Sequence, residues 1–415
     1  MLTAFNTALS GLSADSTAVS VVGNNIANLN TTGFKASSVT FADVMSATLS
    51  ADGSTQLGMG VKTPVTNRDF SQEGSLVPTT NALDVAIQGQ GFLIDKTANG
   101  AILYTRDGNL KTDASGTLMN GQGEAIQGWV GASGKINTNA PLGNIVVPTG
   151  TLEPAVPTAN MALNMNLDAS APAASAPLTA GNATYSTSIQ VFDSLGEAQT
   201  LTMNFWKTGA GAWTWGVSTP NGTATSTGAL SFDASGNLTS PASNPASSNI
   251  AVTGMSDGAA NMNINFNFFA NGAPVITQYA QQSSTASTSQ DGSAPASVTG
   301  VGIGSGGVVL ASLSNGKQLQ VGQVAVANFT NPNSLIAVGN NDYQVSGLTS
   351  EPAIGSAGTG GRGDVEGSTL ESSTVDIATE FTRLMTFQNS YEANSRVITT
   401  ANTLEQQTVN LIPNA

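Results

Sequence analysis

Residues 2–29 read LTAFNTALSGLSADSTAVSVVGNNIANL, a stretch with the spacing of one long helix. Its large apolar side chains are separated by steps of three and four within two groups, which places them along one stripe of a 3.6-residue helix. These side chains are Leu2, Phe5, Leu9, Leu12, Val19, Val22, Ile26 and Leu29. Asp15 is the only charged residue before Lys35. A helix with so little charge is predicted to make contacts on more than one side.

A matching pattern lies near the other end of the chain. Neither Pro nor Gly occurs between Ser368 and Ile412, so we expect a helix of about forty residues there. Its apolar side chains follow heptad-like steps, with a small shift before the last two. They are Ile377, Phe381, Leu384, Tyr391, Ile398, Leu404 and Leu411. An alternative is that both helices are ordinary core elements of a globular domain. Helices in globular domains usually run about 8–20 residues, so the greater length of these two favours an assembly role.

Between these ends the sequence changes to short alternating segments, such as residues 83–87 and 261–266. Pairs of residues with Gly in second place separate the segments, and they supply the positive φ that a tight hairpin needs. The pairs are Asp52-Gly53, Asn99-Gly100, Asp107-Gly108, Ser115-Gly116, Asn120-Gly121, Asn271-Gly272 and Asn315-Gly316. The middle of the chain is therefore predicted to be all-β.

The chain is long for a single core, so two or three domains are expected. Connections are predicted at a Pro-containing stretch (147–157), a Ser/Thr/Gln tract (281–295) and a Gly-rich stretch (353–367). We predict a multidomain α+β fold. Long terminal α-helices form a coiled-coil-like assembly domain, and two predominantly β domains lie between them, the second inserted in the first. The predicted bounds are 1–34 and 368–415 for the helical polymerisation domain, 35–70 and 353–367 for extended connecting segments, 71–147 and 275–352 for the inner β domain, and 148–274 for the outer inserted β domain.

The composition excludes several kinds of function. Charged residues are 9% of the 415 residues, and the net charge is −14; a typical protein has about 25% charged residues. Because no run of Lys or Arg is present to neutralise phosphates, we expect no nucleic-acid partner and no binding to anionic membranes. No apolar run approaches the ~20 residues of a membrane span, so no membrane insertion is expected.

The absence of Cys and His removes further chemistry. Ser-His-Asp and Cys-His catalysis both need an imidazole, and zinc, copper and haem sites lose their usual ligands. We therefore predict that the chain is not an enzyme, and we expect no catalytic residue, no cofactor and no metal. A glycosidase needs only two carboxylates, so a glycan-active protein stays open as a remote alternative.

Three short motifs have simpler explanations than ligand binding. Residues 302–307 read GIGSGG, but VVLASL follows where a dinucleotide-binding loop needs a helix. Residues 362–364 read RGD, and they lie in the Gly-rich stretch that we predict to be a flexible connection. Asp107, Asn109 and Asp113 lack the spacing of a calcium loop, so hairpin turns are predicted there.

Two longer strings lie at the two ends of the chain. Residues 24–35 read NNIANLNTTGFK after SGL at 10–12, and LESSTVD at 370–376 leads to EFT at 380–382 and YEANSRVI at 391–398. These strings resemble the signatures at the two ends of the bacterial flagellar rod and hook axial protein family. The residues that carry the resemblance are Asn24, Asn25, Ile26, Ala27, Asn28, Thr31, Gly33, Phe34, Lys35, Asn394, Ser395 and Arg396.

The middle of the chain is similar to the hook members of that family. VFDSLG at 191–196 and LTMNF at 201–205 resemble a strand–turn–strand of the outer domain. GQVAVANF at 322–329, with Asn331-Pro332 after it, resembles the return segment of the inner β domain. LEQQTV at 404–409 departs from the family, which more often has an apolar run there.

The resemblance implies a structural subunit that polymerises with itself into a helical, flexible tube. This tube would act as a universal joint that transmits torque from rod to filament and so supports motility. The implied partners are the distal rod subunit, a hook cap protein, hook–filament junction proteins and the flagellar type III export apparatus. The implied location is the extracellular hook of the basal body. The start of the sequence lacks the basic and apolar regions of a secretory signal, so export without a cleaved signal peptide is expected.

Two other functions stay open besides the hook. A distal rod subunit shares the terminal strings, although rod subunits are generally shorter. A secreted β-rich adhesin or glycan-active protein is more remote and predicts a stable monomer that binds a ligand. For the hook we also expect the terminal helices to become ordered only on assembly. Burying one apolar side chain contributes about 1.5–3 kcal/mol, whereas ordering backbone costs about 1–2 kcal/mol per residue.

Overall fold

The structure is a computed structural model that describes residues 2–44, 47–48, 56–132, 134–150, 152–244 and 248–410. The predicted Asp52-Gly53 turn, Leu411 and the side chain of Leu2 lie outside the described residues. The chain forms two compact units. Unit 1 consists of Met1–Thr149, Gly300–Ser312 and Gln318–Ala415, and unit 2 consists of Gly150–Thr299 and Leu313–Lys317.

Two long helices belong to unit 1, α1 at Leu2–Ala27 and α2 at Ile377–Asn410, and they pack against each other. The predicted pair of terminal helices is thus confirmed. The C-terminal helix begins at Ile377 rather than at the predicted start of the helical segment, residue 368, because Thr369–Glu371 form a strand. Asp376 caps α2, because its Oδ1 accepts the backbone N–H of Thr379 at 2.7 Å. Neither described helix has a stretch apolar and long enough to span a lipid bilayer.

The rest of the described chain is strands and turns. In chain order the first strands are β1 Ser37–Thr40, β2 Ala47–Thr48, β3 Gln56–Leu57, β4 Val65–Arg68, β5 Leu76–Pro78, β6 Val85–Gln88, β7 Phe92–Lys96, β8 Ile102–Thr105, β9 Leu110–Thr112, β10 Leu118–Asn120, β11 Ala125–Ala132, β12 Lys135–Ile136 and β13 Gly143–Asn144. The next are β14 Leu152–Glu153, β15 Asn160–Asp168, β16 Tyr185–Phe192, β17 Ala198–Gly209, β18 Ala212–Ser218, β19 Thr223–Ala224, β20 Thr227–Phe232, β21 Leu238–Ser240, β22 Asn249–Thr253, β23 Met262–Asn267, β24 Phe269–Ala270, β25 Ala273–Pro274, β26 Ile276–Tyr279, β27 Ser284–Gln290 and β28 Ala296–Ile303. The last are β29 Val308–Leu313, β30 Gln318–Val324, β31 Val326–Asn328, β32 Ile336–Gly339, β33 Asp342–Gln344, β34 Ala353–Gly355, β35 Asp364–Gly367 and β36 Thr369–Glu371. Short 3₁₀ helices lie at Ala180–Asn182, Ser305–Gly307 and Pro332–Ser334.

Unit 1 contains an antiparallel sheet with the strand order β29-β30-β11-β7-β8-β33-β32. Its core is aromatic, with Phe92 against Tyr343 and Phe329, and Tyr104 against Phe329 at a ring-centroid distance of 4.9 Å. Three two-stranded pairs, β1–β4, β5–β36 and β6–β35, complete this part of unit 1. The last two pairs join residues near the start of the chain to those just before α2.

Unit 2 is a β-sandwich of two sheets around one core. One sheet has the order β16-β17-β18-β20-β21, and the other has the order β19-β22-β23-β15-β26 with β27 also on β15. The strands alternate between buried and exposed side chains, as in β15, where Met161, Leu163, Met165 and Leu167 are buried. Trp215 of β18 meets Phe266 of β23 edge to face at 5.3 Å, which joins the two inner faces. The prediction of a β-rich middle is confirmed.

Three segments predicted as connections or boundaries are strands instead. Residues 275–299, which we assigned to the inner β domain or to a linker at 281–295, belong to unit 2 because β26 and β27 both pair with β15. In the segment 353–367, β34 pairs with β31 and β35 pairs with β6, with a Gly-rich turn between. In the segment 35–70, β1 pairs with β4. Low hydrophobicity in these segments reflects exposed edge strands rather than free linkers.

Candidate assembly site at the joined chain ends

The covered side of α1 carries small residues rather than the predicted apolar stripe. Ala8, Ala14 and Ala18 are buried, together with Val22 and the carboxylate of Asp15. Their spacing is again that of one helix face, but it is rotated from the stripe of large side chains. Small side chains allow two helix backbones to approach closely, but they bury less apolar area than large side chains would.

A polar contact fixes the register of the two helices. The side-chain amide of Asn394 on α2 donates to Asp15 Oδ2 on α1 at 2.9 Å. Gly11 lies beside the same amide, and a Cβ at that position would be 2.8 Å from Asn394 Nδ2. Any other residue at position 11 would therefore displace Asn394. Gly11 and Asn394 both belong to the quoted strings, and this contact explains structurally why glycine and asparagine occupy these two positions.

Most of the predicted stripe residues are exposed or only half-buried within the chain. Phe5 and Leu9 on α1 are 38% and 49% exposed, and of that stripe's described side chains Val22 alone is buried. On α2, Ile377, Phe381, Tyr391 and Leu404 are exposed. The half-buried members are Leu12, Val19, Ile26, Leu29, Leu384 and Ile398. Their role in assembly stays a prediction, but their exposure leaves large apolar side chains free for other contacts.

Sequence reasoning missed two exposed residues of α2, Met385 and Val397. Met385 follows Ile377 and Phe381 at steps of four, so the spacing could have indicated it. Val397 lines a shallow, mostly apolar recess of about 340 Å³ between the start of α1 and the end of α2. The recess is lined by Ala4, Arg396, Val397, Thr400, Ala401 and Leu404.

Below the helices, a buried ion cluster joins the two terminal strings. Lys35 Nζ donates to Glu371 Oε1 at 2.7 Å, and Arg106 Nη1 donates to Glu371 Oε2 at 3.1 Å. All three side chains are almost fully buried. Burial lowers the pKa of the Lys35 ammonium, and the adjacent Glu371 carboxylate acts in the opposite direction. Gln72 O and the backbone N–H of Gly74 complete the hydrogen bonds of Lys35 and Glu371. We call Lys35, Arg106 and Glu371 the ion cluster.

Asn25 connects the end of α1 to the start of α2. Its side chain is fully buried; Nδ2 donates to Ser37 O at 2.8 Å and to Glu380 Oε2 at 3.2 Å. Its Oδ1 accepts the backbone N–H of Ser37 at 3.0 Å. Glu380 is in turn paired with Arg383 at 2.8 Å. One carboxamide thus satisfies three groups that would otherwise be buried without partners.

The other string residues mainly shape the turn after α1. Gly33 has φ +65°, and a Cβ there would collide with the backbone carbonyl of Arg106. Phe34 is buried, and its carbonyl accepts the N–H of Thr374 at 3.0 Å. Asn28 Oδ1 accepts the Thr31 hydroxyl at 3.0 Å, and Asn28 Nδ2 donates to Asn24 O at 2.9 Å.

The remaining string residues have weaker contacts in the described chain. Ala27 is the last residue of α1 and is exposed, and Ser395 is half-buried on α2. Arg396 pairs with Glu392 at 2.6 Å, but both side chains are exposed. These residues contribute less to the fold of one copy than Asn25 or Lys35 does.

Hydrogen bonds within turns explain the RGD and Asp-rich motifs. Arg362 Nε donates to Ser356 O at 3.1 Å, and Asp364 begins β35, so the RGD residues are part of a structured turn. Asp113 Oδ1 accepts the N–H groups of Ser115 and Thr117 at 2.9 and 2.8 Å, as a hairpin turn requires.

Family profiles match four segments of the chain, including both ends. "Flagella basal body rod protein" matches residues 5–35, and "Flagellar basal body rod FlgEFG protein C-terminal" matches 366–411. Between them, "Flagellar hook protein FlgE/F/G D1 domain" matches residues 86–161 and "Flagellar basal body protein FlaE D2 domain" matches 160–293.

Full-length relatives decide between rod and hook. "Flagellar hook protein FlgE" of Escherichia coli (strain K12) is 33% identical over 98% of this chain and 100% of its own length. The protein of the same name from Rhizobium meliloti (strain 1021) is 35% identical over 98% of both chains. The chain belongs to the flagellar hook protein family. It is a structural subunit of the bacterial flagellar hook that serves motility, and it is not an enzyme.

A solved structure of the hook protein family has a related fold. The crystal structure of Helicobacter pylori flagellar hook protein FlgE2 covers 71% of this chain and 100% of its own, with a TM-score of 0.53 and 14% identity. Membership of the hook family also places the chain in the flagellum and implies self-association and contact with other flagellar components. The distal-rod and adhesin alternatives are not supported by these full-length matches.

Proposed function

We propose that hook polymerisation by this chain uses the exposed apolar side chains of the α1–α2 pair in coiled-coil-like contacts with neighbouring copies. The observation that carries the proposal is the exposure of Phe5 and Leu9 on α1 and of Phe381 on α2. Phe5 and Leu9 lie near the end of α2, whereas Phe381 lies near the end of α1, so apolar side chains are exposed at both ends of the helix pair. Large exposed apolar side chains are typical of an interaction surface. The family supplies the partner, which is a second copy of the same chain.

The energetics of the pair support this proposal. Within one copy, α1 buries mainly alanines, which contribute far less than the about 1.5–3 kcal/mol of a large apolar side chain. Ordering each residue of backbone costs about 1–2 kcal/mol, so the pair gains much of its stability when neighbours cover Phe5, Leu9 and Phe381. We infer that the helices become fully ordered on assembly, which is a folding-on-binding mechanism.

The finer architecture follows from the same proposal. Contacts that are head-to-tail and do not close on themselves give an open helical tube. Unit 2, whose residues interrupt those of unit 1 in the chain, would be the inserted outer domain, and its contacts between copies would tune the stiffness of a flexible universal joint. The distal rod subunit, the hook cap, the hook–filament junction proteins and the type III export apparatus would be the further partners, and the hook would be extracellular.

The experiment compares two Leu→Ser substitutions in the purified full chain. Leu9→Ser removes an exposed apolar side chain from α1, whereas Leu348→Ser removes one that is 90% exposed in the β region of unit 1. We expect Leu9→Ser to raise the concentration needed for polymerisation at least about tenfold, because one lost apolar contact of about 1.4 kcal/mol or more is a tenfold change. Sedimentation and electron microscopy measure the polymer.

Two outcomes would contradict the proposal. Either Leu9→Ser polymerises like the unsubstituted chain, or Leu348→Ser impairs polymerisation equally. Hydrogen–deuterium exchange on the monomer tests the ordering step separately: strong protection of α1 and α2 before polymerisation would show that they are already folded. Urea unfolding followed by circular dichroism and by the fluorescence of Trp129, the tryptophan of unit 1, tests whether both variants are otherwise intact.

A further inference from the structure

Three carboxylates of unit 1, which neither the ion cluster nor the helix pair uses, are brought together by the sheet. Asp95 lies on β7, Glu124 immediately precedes β11, and Asp342 begins β33. β7 pairs with β11 and β8, and β8 pairs with β33, so residues far apart in the chain become neighbours. One carboxylate oxygen from each of the three lies within 4.8 Å of the others. We call these residues the acidic site.

The acidic site is buried and its hydrogen bonds are incomplete. Asp95 is fully buried and Asp342 is 3% exposed, while Glu124 is half-buried. Asn120 Nδ2 donates to Asp95 Oδ2 at 2.7 Å and to Glu124 Oε2 at 3.0 Å. The second oxygen of Asp95, Oδ1, is buried and has no hydrogen-bond partner within the described residues. A buried carboxylate oxygen without a partner carries a large desolvation cost, so this oxygen would be stabilised by a cation.

Within the described part of the chain, no basic side chain is paired with this charge. None of the ion pairs formed by the described residues includes Asp95, Glu124 or Asp342. Burial raises the pKa of Asp95 well above its usual range, and the neighbouring carboxylate of Asp342 adds to that effect. Burial and the charge of Glu124 raise the pKa of Asp342 to about 7. The acidic site therefore needs a positive charge from outside the chain, or else retains protons.

We propose that the acidic site binds a hard divalent cation, with Ca²⁺ as the best fit. All of its ligand atoms are carboxylate oxygens, which Ca²⁺ and Mg²⁺ prefer. Oxygens that lie within 4.8 Å of one another are close enough to share either ion. Ca²⁺ is the better fit because it accepts irregular geometry, whereas Mg²⁺ demands near-ideal octahedral geometry and gives up its water reluctantly.

A surface pocket lies beside the acidic site, and an ion bound there would link strands of the sheet. The buried Asp342 lies in the wall of a surface pocket of about 400 Å³ that Asp107, Gln122 and Asn341 also line, so one ligand lies next to solvent. A bound ion would connect β7, β11 and β33, three strands of the same sheet. With three protein ligands and the rest from water, we expect a weak site with a dissociation constant of about 10⁻⁴–10⁻³ M.

The test measures Ca²⁺ binding by the chelator-treated full chain. Equilibrium dialysis with radioactive Ca²⁺ gives the stoichiometry, and Tb³⁺ luminescence, sensitised by Tyr343 next to Asp342, reports the location. We expect one Ca²⁺ per chain and a melting temperature raised by about 2–4 °C at about 10 mM Ca²⁺, with a smaller effect of Mg²⁺. Asp342→Asn should weaken binding at least about tenfold, the effect expected for loss of one charged ligand.

The matched control is Glu351→Gln, which neutralises an exposed carboxylate of the same unit and should bind Ca²⁺ like the unsubstituted chain. The proposal is overturned if the unsubstituted chain binds no Ca²⁺ at these concentrations, or if Asp342→Asn binds it equally well. It is also overturned if Asp95→Asn is more stable than the unsubstituted chain in Ca²⁺, because the acidic site would then hold protons. Dialysis of the unsubstituted chain decides the question even if Asp95→Asn does not fold.

Discussion

Unit 2 and the helix pair of unit 1 differ in whether their large apolar side chains are buried. Unit 2 buries Trp213, Trp215, Phe266 and Phe268 in one core within a single copy. The helix pair buries alanines and leaves Phe5, Leu9, Phe381 and Met385 exposed, and we propose that neighbouring copies cover them. Burial in one copy thus separates residues that fold the subunit from exposed residues that we propose to join subunits.

The largest expected effect tests the first half of this comparison. Trp215→Ala removes a buried side chain that packs on Phe266 and Phe268, so it should lower the free energy of unfolding of unit 2 by about 3–5 kcal/mol. Urea unfolding followed by circular dichroism measures the change. The matched control is Phe381→Ala on α2, where an exposed ring should change monomer stability by less than about 0.5 kcal/mol. Equal effects of the two substitutions would contradict the comparison.

A charge change in the ion cluster should be nearly as large. Glu371→Gln leaves the Lys35 ammonium and the Arg106 guanidinium buried without a counter-charge, which costs about 3–5 kcal/mol. Calorimetry of the monomer should show a lower unfolding temperature for unit 1. Glu392→Gln makes the same chemical change in the exposed pair with Arg396 and should have almost no effect. A stable Glu371→Gln variant would mean that the ion cluster does not hold the chain ends.

A smaller effect is expected where the two helices meet. Asn394→Ala leaves the buried Asp15 carboxylate without its partner on α2, which should destabilise the pair by about 1–3 kcal/mol. Hydrogen exchange of α1 in the assembled polymer, where the proposed function has both helices ordered, measures the change, with Asn402→Ala as the control at an exposed position of α2. If exchange of α1 is unchanged, the helices are not held in register by this contact, and their order depends on the polymer alone.

The sequence predicts elements better than it predicts their contacts. Periodicity identified both helices and the alternating strands, because those patterns depend on neighbours within a few residues. It did not predict which face of α1 is covered, since Ala8, Ala14 and Ala18 carry too little hydrophobicity to stand out beside Leu9. Small residues favour close backbone approach, which hydrophobic periodicity does not measure.

Contacts between residues that are far apart in the chain could not be predicted from local sequence patterns. Lys35 and Glu371 are 336 residues apart, and nothing in their spacing pairs them. The resemblance selected Lys35 as a string residue, but the structure supplies its physical reason, a buried ion cluster. The Gly-rich segment 353–367 shows the reverse error, because glycine marks both free linkers and tight turns between paired strands.

The smallest expected effect on monomer stability concerns Arg396, a string residue. Its described ion pair with Glu392 is exposed, with the two side chains 77% and 63% accessible, so losing it should cost about 0.3–0.5 kcal/mol at low salt. Arg396 also lines the apolar recess with Val397 and Leu404, where a neighbouring copy would sit. Arg396→Ala and Glu392→Ala should therefore change monomer unfolding equally, because each removes the same pair.

Polymerisation should separate these two variants. If Arg396 contacts a neighbouring copy, Arg396→Ala raises the critical concentration by about tenfold, whereas Glu392→Ala leaves it near that of the unsubstituted chain. Sedimentation of polymer at several salt concentrations measures both, since an exposed ion pair weakens with added salt but a packed guanidinium stem does not. Equal critical concentrations would assign Arg396 to the helix surface of one copy and would confine the assembly surface to the apolar side chains.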